Sequence, residues 1–487
     1  MSQAPLKLRV PPRRLAEVAW VCDFLFTRRL GLPFELQTHD APEVWVETGA
    51  ARVQWPDVFL ARADACWLQQ GSPGDAGVRA WPVPDAALRQ RIGRDDVAVL
   101  FGNAAFEATP TRLQLPLDLS GSVFFMLSRY EEALPGAASD AHGRFPGHAS
   151  LAGRHGLLMR ALVDEWVELL WWALQQVAPH LQRVPQAPRV WATCDVDLAY
   201  SPGLRQPWAA LRQTAAHLLK ERSPGLALGA ALNPLLGLAG VHALDPYDNF
   251  EWMMDTAEAC GQRISFFFIA AQQATPLEGF YALEDPRIAG LVQQMRRRGH
   301  GVALHASYAS VDDPALLRPE LERLQRAAGD EGRAGEAWAN RQHFLRWQAA
   351  RTPAVLAGAG LAVDSTLAYA DLSGFRCGTS HAFPLYDLQA GRALAVLEQP
   401  LVLMEGTVIG PGYMNLGLGP QARQLMLDLK QTCQRFGGCF TLLWHNTGLR
   451  LPAARRLYAE LIRPYPGAPA LAGLDGAVHL NPKDPVA

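Results

Sequence analysis

The chain has 487 residues, with 45 Lys plus Arg against 47 Asp plus Glu and a formal net charge of -2. Hydrophobic residues make up 49% and charged ones 19%, which excludes a disordered chain. The charge balance also excludes a protein that coats nucleic acid or an acidic membrane by bulk electrostatics.

At roughly 100–200 residues per domain the length predicts two or three domains. The N-terminus carries no apolar run behind a basic start, so no secretory leader is expected. No window offers ~20 uninterrupted apolar residues, so no spanning helix is expected. The nearest approach, 224–244, is interrupted by Asn233, Pro234 and His242. It reads as a buried or lid-like segment, with peripheral membrane contact as the alternative. The seven cysteines are dispersed and form no C-x-x-C pair, which fits a reducing compartment better than a disulfide framework or a zinc knot. A cytoplasmic protein is expected.

Residues 1–185 are expected to form a smaller α/β domain. The apolar run Asp96–Gly102 reads as a buried strand, and Ser122–Tyr130 and Leu157–Gln176 read as helices. Pro135–Leu151, between them, is loop by composition. Prolines between Pro179 and Arg189 mark a domain joint. From 186 to 487 the pattern alternates. Strands are predicted at Arg189–Cys194, Arg263–Ala270, Gly301–Leu304, Trp338–Phe344, Leu361–Leu367, Leu397–Leu403 and Cys439–Trp444. Helices are predicted at Phe250–Cys260, Arg287–Arg298, Pro314–Ala328, Pro353–Ala359 and Pro420–Phe436. This alternation predicts a parallel α/β sheet or barrel.

In such folds, polar residues at the carboxyl ends of strands converge on one rim. Asp195 and Asp197 follow an apolar strand, and residues i and i+2 of an extended segment share a side. Two neighbouring carboxylates repel unless a cation or a proton separates them. A metal with one Asp as ligand and the other as base satisfies both. His305 leaves the strand Gly301–Leu304, where neutral imidazole suits a metal such as Zn²⁺; His300 precedes that strand and reads as structural. Arg341 and His343 share a face if extended: the Arg would hold a carboxylate ionised, a role for which Arg346 is a weaker candidate, and the His would complete a metal site. Asp364 ends another strand, placed to orient a His or to cap a turn. His445 ends the last strand, where it would act as a general acid. Ser307, Tyr308, Thr366, Asp371 and Arg376 lie on polar loops after these strands and are candidate substrate contacts.

These residues resemble the motifs of the polysaccharide deacetylase (NodB-homology) fold of carbohydrate esterase family 4, over about residues 187–450. Thr193-Cys194-Asp195-Val196-Asp197 resembles the Asp-Asp motif, Gly299-His300 to His305 the first half of the His motif, and Leu443-Trp444-His445 the last motif. The whole chain is similar to a bacterial subgroup from surface-polysaccharide gene clusters that carries an uncharacterised N-terminal domain. Phe125–Glu132, His142–Pro146, Val163–Trp166, Asp245–Tyr247, Arg341–Arg346 and Asp364–Thr366 carry that similarity. The resemblance implies an irregular (β/α)7 barrel behind the smaller domain. It also implies hydrolysis of an acetamide on a saccharide. Asp197 and His305 would hold a divalent metal, most simply Zn²⁺, with Asp195 as base and His445 as acid. Arg341 or Arg346 would keep Asp195 ionised, and Asp364 would tune a His.

The sequence departs from the family at Ala309, where the second metal-binding His would fall. His343 is the expected substitute, because a catalytic zinc takes three protein ligands plus water. A glycan-binding pseudoenzyme is the first alternative, motivated by Ala309. A nucleotide-sugar glycosyltransferase using Asp195-x-Asp197 is the second, and it leaves His305 and His445 without a use. The expected partner is a largely neutral saccharide, with no nucleic acid. If the protein is cytoplasmic, that saccharide is a precursor or a glycan still on its carrier.

Overall fold

The computed structural model describes residues 4–74, 77–103, 105–201, 211, 214–215, 218–219, 224–238, 245–271, 277–278, 281–329 and 337–467. The chain is mixed α/β. The second unit is built on a nine-stranded sheet. Its order is Phe383–Asp387, Arg392–Glu398, Val363–Asp364, Ala339–Gln342, Gly301–Ala306, Ile264–Ile269, Arg189–Val196, Cys439–Leu443 and Leu403–Met404. All neighbours pair in parallel except the first two, which form an antiparallel hairpin.

The side chains show that this sheet is curled. Ala339–Gln342 lies three strands from Arg189–Val196, a separation of roughly 14 Å in a flat sheet. Yet Arg341 donates directly to Thr193 and Asp195, both at 2.8 Å. Trp191, Phe267, Ala303, Ala339, Val363 and Cys439, each from a different strand, also pack into one small enclosed cluster. The alternating residues Val190, Ala192, Cys194 and Val196 face the main outer core instead. The period of two therefore sends Trp191, Thr193 and Asp195 inward along one strand. The closed (β/α)7 barrel expected from the resemblance is not what the pairing gives: the end strands Phe383–Asp387 and Leu403–Met404 do not pair with each other, and the sheet stays open.

The N-terminal unit carries a six-stranded mixed sheet, which the sequence reading did not resolve into strands, and the pair Arg79–Pro82 with Asp96–Val99. The helix expected over Ser122–Tyr130 runs over Leu119–Leu127. Its Asp118 cap accepts from Gly121 N, and Arg129 enters the left-handed region after it. The helix expected from Leu157 begins at Leu162 and runs to Val177. Every residue from Leu162 to Leu174 is buried, because this helix lies between its own sheet and the second unit. Asp164 on it accepts from Thr379 Oγ1 at 2.7 Å and pairs with Arg29. One apolar core runs without a break through both units.

Several predicted bounds shift. Leu397–Leu403 is not a strand: the strand is Arg392–Glu398, and a two-residue strand follows at Leu403–Met404. Leu361–Leu367 contributes only Val363–Asp364. In 224–244, a helix covers Pro224–Leu238 and residues 239–244 lie outside the described residues. Among the described residues, no helix is long and apolar enough to cross a membrane.

Candidate metal centre

Three ligand-type side chains meet at the carboxyl ends of their strands. Asp197 follows Arg189–Val196, His305 sits within Gly301–Ala306, and His343 follows Ala339–Gln342. One ligand atom from each lies within 4.8 Å of the others, so the three form a group able to hold a metal ion. His305 pairs in register with Arg341, and inward alternation brings 305, 341 and 343 to one side. His343 comes after the strand has ended. Phe344 and Leu345 then take φ of 61° and 55°, the left-handed region that side chains disfavour.

The hydrogen bonds fix what each imidazole presents. His305 Nδ1 donates to Arg341 O at 2.7 Å, which leaves Nε2 with its lone pair. His343 Nε2 donates to Leu277 O at 2.7 Å, which leaves Nδ1 with its lone pair. These two nitrogens face each other at 2.9 Å. Two lone pairs at that distance repel, so a proton or a metal ion belongs between them. Asp197 Oδ1 is 3.2 Å from His305 Nε2 and 3.6 Å from His343 Nδ1, yet it is buried with no donor aligned on it. A buried carboxylate oxygen and two converging imidazole lone pairs are the donor set that zinc takes, and backbone carbonyls orienting the rings are the usual outer support.

The two imidazoles differ in their electrostatics. Burial pushes His343 down to about 4, with neighbouring His305 adding to the effect, so its ring is neutral at physiological pH. Burial works against the charge of Asp197, but the contact from His305 and the charge of His445 hold its carboxyl well below the usual range. Burial likewise opposes the charge on His305, which the carboxylates of Asp195 and Asp197 raise above the ordinary value.

Beside this group stands a second pair. Arg341 is fully buried and held at every nitrogen. Nε donates to Ser365 O, Nη1 to Thr193 Oγ1 and Asp195 Oδ1, and Nη2 to Ser365 Oγ, while its guanidinium lies 4.4 Å above Phe267. Asp195 Oδ2 is 3.7 Å from His305 Nε2. Opposite, His445 Nε2 is 3.6 Å from Asp197 Oδ2. His445 Nδ1 donates to Glu405 Oε1 at 2.8 Å. Burial alone would lower His445, but Glu405, followed by Asp197 and Asp195, raises it to about 10. It is an imidazolium at neutral pH.

The structure thus brings together Asp195, Asp197, His305, Arg341, His343 and His445, and leaves other candidates elsewhere. Asp364 does not touch a His. It is buried, accepting from Asn340 Nδ2 and from the Thr366 backbone and hydroxyl, next to Glu398. Burial, followed by the neighbouring Asp364, drives Glu398 well above its ordinary value, and Glu398 Oε1 accepts from Leu367 N. Thr366 is spent on Asp364 and Gln342 N. Arg376 is buried in a pair with Glu132, and Asp371 accepts from Gly147 N, so both join the two units. Ser307 is buried, its N–H on Glu320. Arg346 donates to His142 O and Tyr308 O rather than to Asp195. Tyr308 alone of the loop candidates is half-exposed near the metal group, its ring 5.4 Å from Phe344, which in turn lies 4.6 Å from His343.

Glu405 is the functional residue that sequence reasoning missed. It directly follows the short strand Leu403–Met404, so the rule that singled out the other strand-end residues would have found it. The predicted segment Leu397–Leu403 stops two residues short of it.

The fold and site together define an α/β protein with an Asp/His/His group suited to a metal. Residues 6–179 match the model of a family of unknown function, DUF7033. No curated protein matches the chain. A solved structure described as a candidate polysaccharide deacetylase from Mycobacterium smegmatis is similar at 19% identity and a TM-score of 0.36, over 57% of this chain and 87% of that one.

Proposed function

We propose that the chain is a metal-dependent amide hydrolase that removes the acetyl group from an N-acetylated sugar of a surface polysaccharide or its precursor. One observation carries this reading: the lone pairs of His305 and His343 and the unmatched Asp197 oxygen converge between a carboxylate held by Arg341 and an imidazolium held by Glu405. Base and acid thus flank the metal group, the arrangement that hydrolysis of an amide needs.

Asp197, His305 and His343 would hold the ion, for which Zn²⁺ suits the donors. Bound there, it would polarise the acetamide carbonyl and lower the pKa of attacking water. Asp195 is the base: it is fixed at 2.8 Å from Arg341 and takes the proton as water attacks. His445 is the acid: Nε2 carries the proton that the departing amine receives, and Glu405 fixes the ring through Nδ1. His343 answers the departure at Ala309 by supplying a third ligand from the next strand. The sequence resemblance to the NodB-homology deacetylases supports the saccharide substrate. The glycosyltransferase alternative has no role for His445 or His343.

The test is acetate release from N-acetylated oligosaccharides by purified protein, before and after chelation and with zinc restored. Release that vanishes on chelation and returns with zinc is expected. No release from the metal-loaded protein, together with retained glycan binding, would make it a pseudoenzyme.

A further inference from the structure

The loop Asp140–Phe145 of the N-terminal unit reaches the metal centre, and its contacts there are not needed to hold the metal group. Asp140 stiffens the loop: Oδ1 accepts from the N–H groups of His142 and Arg144, and Oδ2 from Arg144 Nε at 2.7 Å. Arg144 Nη1 then donates to Phe344 O at 3.0 Å, across the seam. His142 packs on Phe344, ring centroids 4.6 Å apart, and its Nδ1 lies 3.3 Å from Tyr308 Oη. Arg346 Nε donates back to His142 O at 2.9 Å, and its guanidinium lies 4.0 Å above the Tyr308 ring.

The charged groups around this junction differ in what they meet. Arg144 pairs with Asp140, and Asp371 Oδ2 lies 3.0 Å from His148 Nδ1. Glu278 accepts from Tyr308 N. Arg346 donates only to two main-chain carbonyls, and among the described residues no carboxylate lies within 4.0 Å of it. Its Nη2 lies toward Gly143, where an added Cβ would stand 3.6 Å away. A half-buried guanidinium with part of its fork unmatched is suited to an oxyanion, whose oxygens fit its planar donors.

We propose that Arg346, with His142 and Tyr308 beside it, is a subsite for an anionic group, a phosphate or a carboxylate, carried by the saccharide. This rests on the deacetylase reading for the identity of the sugar, and it gives the family-matched N-terminal unit a share in substrate recognition.

The experiment is calorimetric binding to the full chain of three probes: N-acetylglucosamine 1-phosphate, N-acetylglucosaminuronic acid and neutral N-acetylglucosamine. One anionic sugar should bind at least about tenfold tighter than the neutral one. Whether that is the phosphate or the carboxylate identifies the source of the charge. Arg346→Gln should erase the preference and Arg346→Lys should restore part of it, with melting temperatures reporting that both fold. If Arg346→Gln does not fold, competition by inorganic phosphate in the wild type and its weakening in Arg346→Lys carry the test. Equal binding of the three sugars, no binding of any up to about 10 mM, or a preference that survives Arg346→Gln overturns the subsite. Acetate release is read separately: release without anion preference sinks the subsite alone, and anion preference without release sinks the hydrolase alone.

Discussion

Glu405 Oε1 accepts two hydrogen bonds from the same residue, from His445 N at 2.9 Å and from His445 Nδ1 at 2.8 Å. The carboxylate thereby fixes both the backbone and the ring of the proposed acid and stabilises its charge. In Glu405→Gln the stabilisation is lost. The alkaline limb of kcat/KM should move down by more than about one pH unit, because the acid is lost as pH rises through its own pKa. The sign for stability is the same. His445 is raised from 6.5 to about 10, so its contribution is complete below 6.5 and fades as pH rises through 10. An unmoved limb would remove His445 from the acid role.

Asp195→Asn should keep the metal and lose activity by about 10²–10⁴-fold, the range for a general base. Arg341→Met should be worse for the fold, since it leaves Asp195 and Thr193 buried without their donor; about 3–5 kcal/mol of stability is expected to go. Metal analysis, acetate release and urea unfolding on the two variants separate the effects.

His343→Ala should leave the purified protein with well under one equivalent of zinc after dialysis, against about one for the wild type, since two protein ligands hold a catalytic zinc poorly. Full zinc retention would mean that the ion is held without His343.

Glu132 pairs with both Arg376 and Arg129 in the seam between the units. Glu132→Ala strips a shared carboxylate from two buried guanidiniums and should cost about 3–5 kcal/mol, read as a lowered denaturant midpoint. Glu131 still reaches Arg129, so the lower end of that range is expected.

Burial raises the Glu320 carboxyl from 4.5 to about 7. An acid with a raised pKa binds more protons folded than unfolded, so stability should fall as pH rises from 4.5 to 7, by about 3 kcal/mol in all. Glu320→Gln should flatten that part of the stability–pH curve.

The strand-end rule points to Asp195, Asp197, His305, Arg341, His343 and His445, and the structure brings these six together, because period two and parallel strands leave little freedom in where such residues point. Asp364, Thr366, Asp371 and Arg376 meet other protein groups instead. A polar residue after a strand looks the same in sequence whether it faces a ligand or a second layer of protein. Arg376 has its partner Glu132 244 residues away, and no local pattern encodes that pairing. The six-stranded sheet of the N-terminal unit is hard to read because strands such as Phe34–Thr38 and Glu43–Thr48 are only partly buried and lack the apolar runs of the second unit.

The helix Leu162–Val177 changes what the proline-rich joint after it means. Its buried length touches both units, so the joint is a boundary in connectivity and not a plane along which the molecule can be split. A chain cut there would leave either half with a raw apolar face and would strip the buried Arg376 of its partner Glu132. The two halves are therefore constrained to vary together, and any exchange of N-terminal units between relatives has to carry its half of the interface with it.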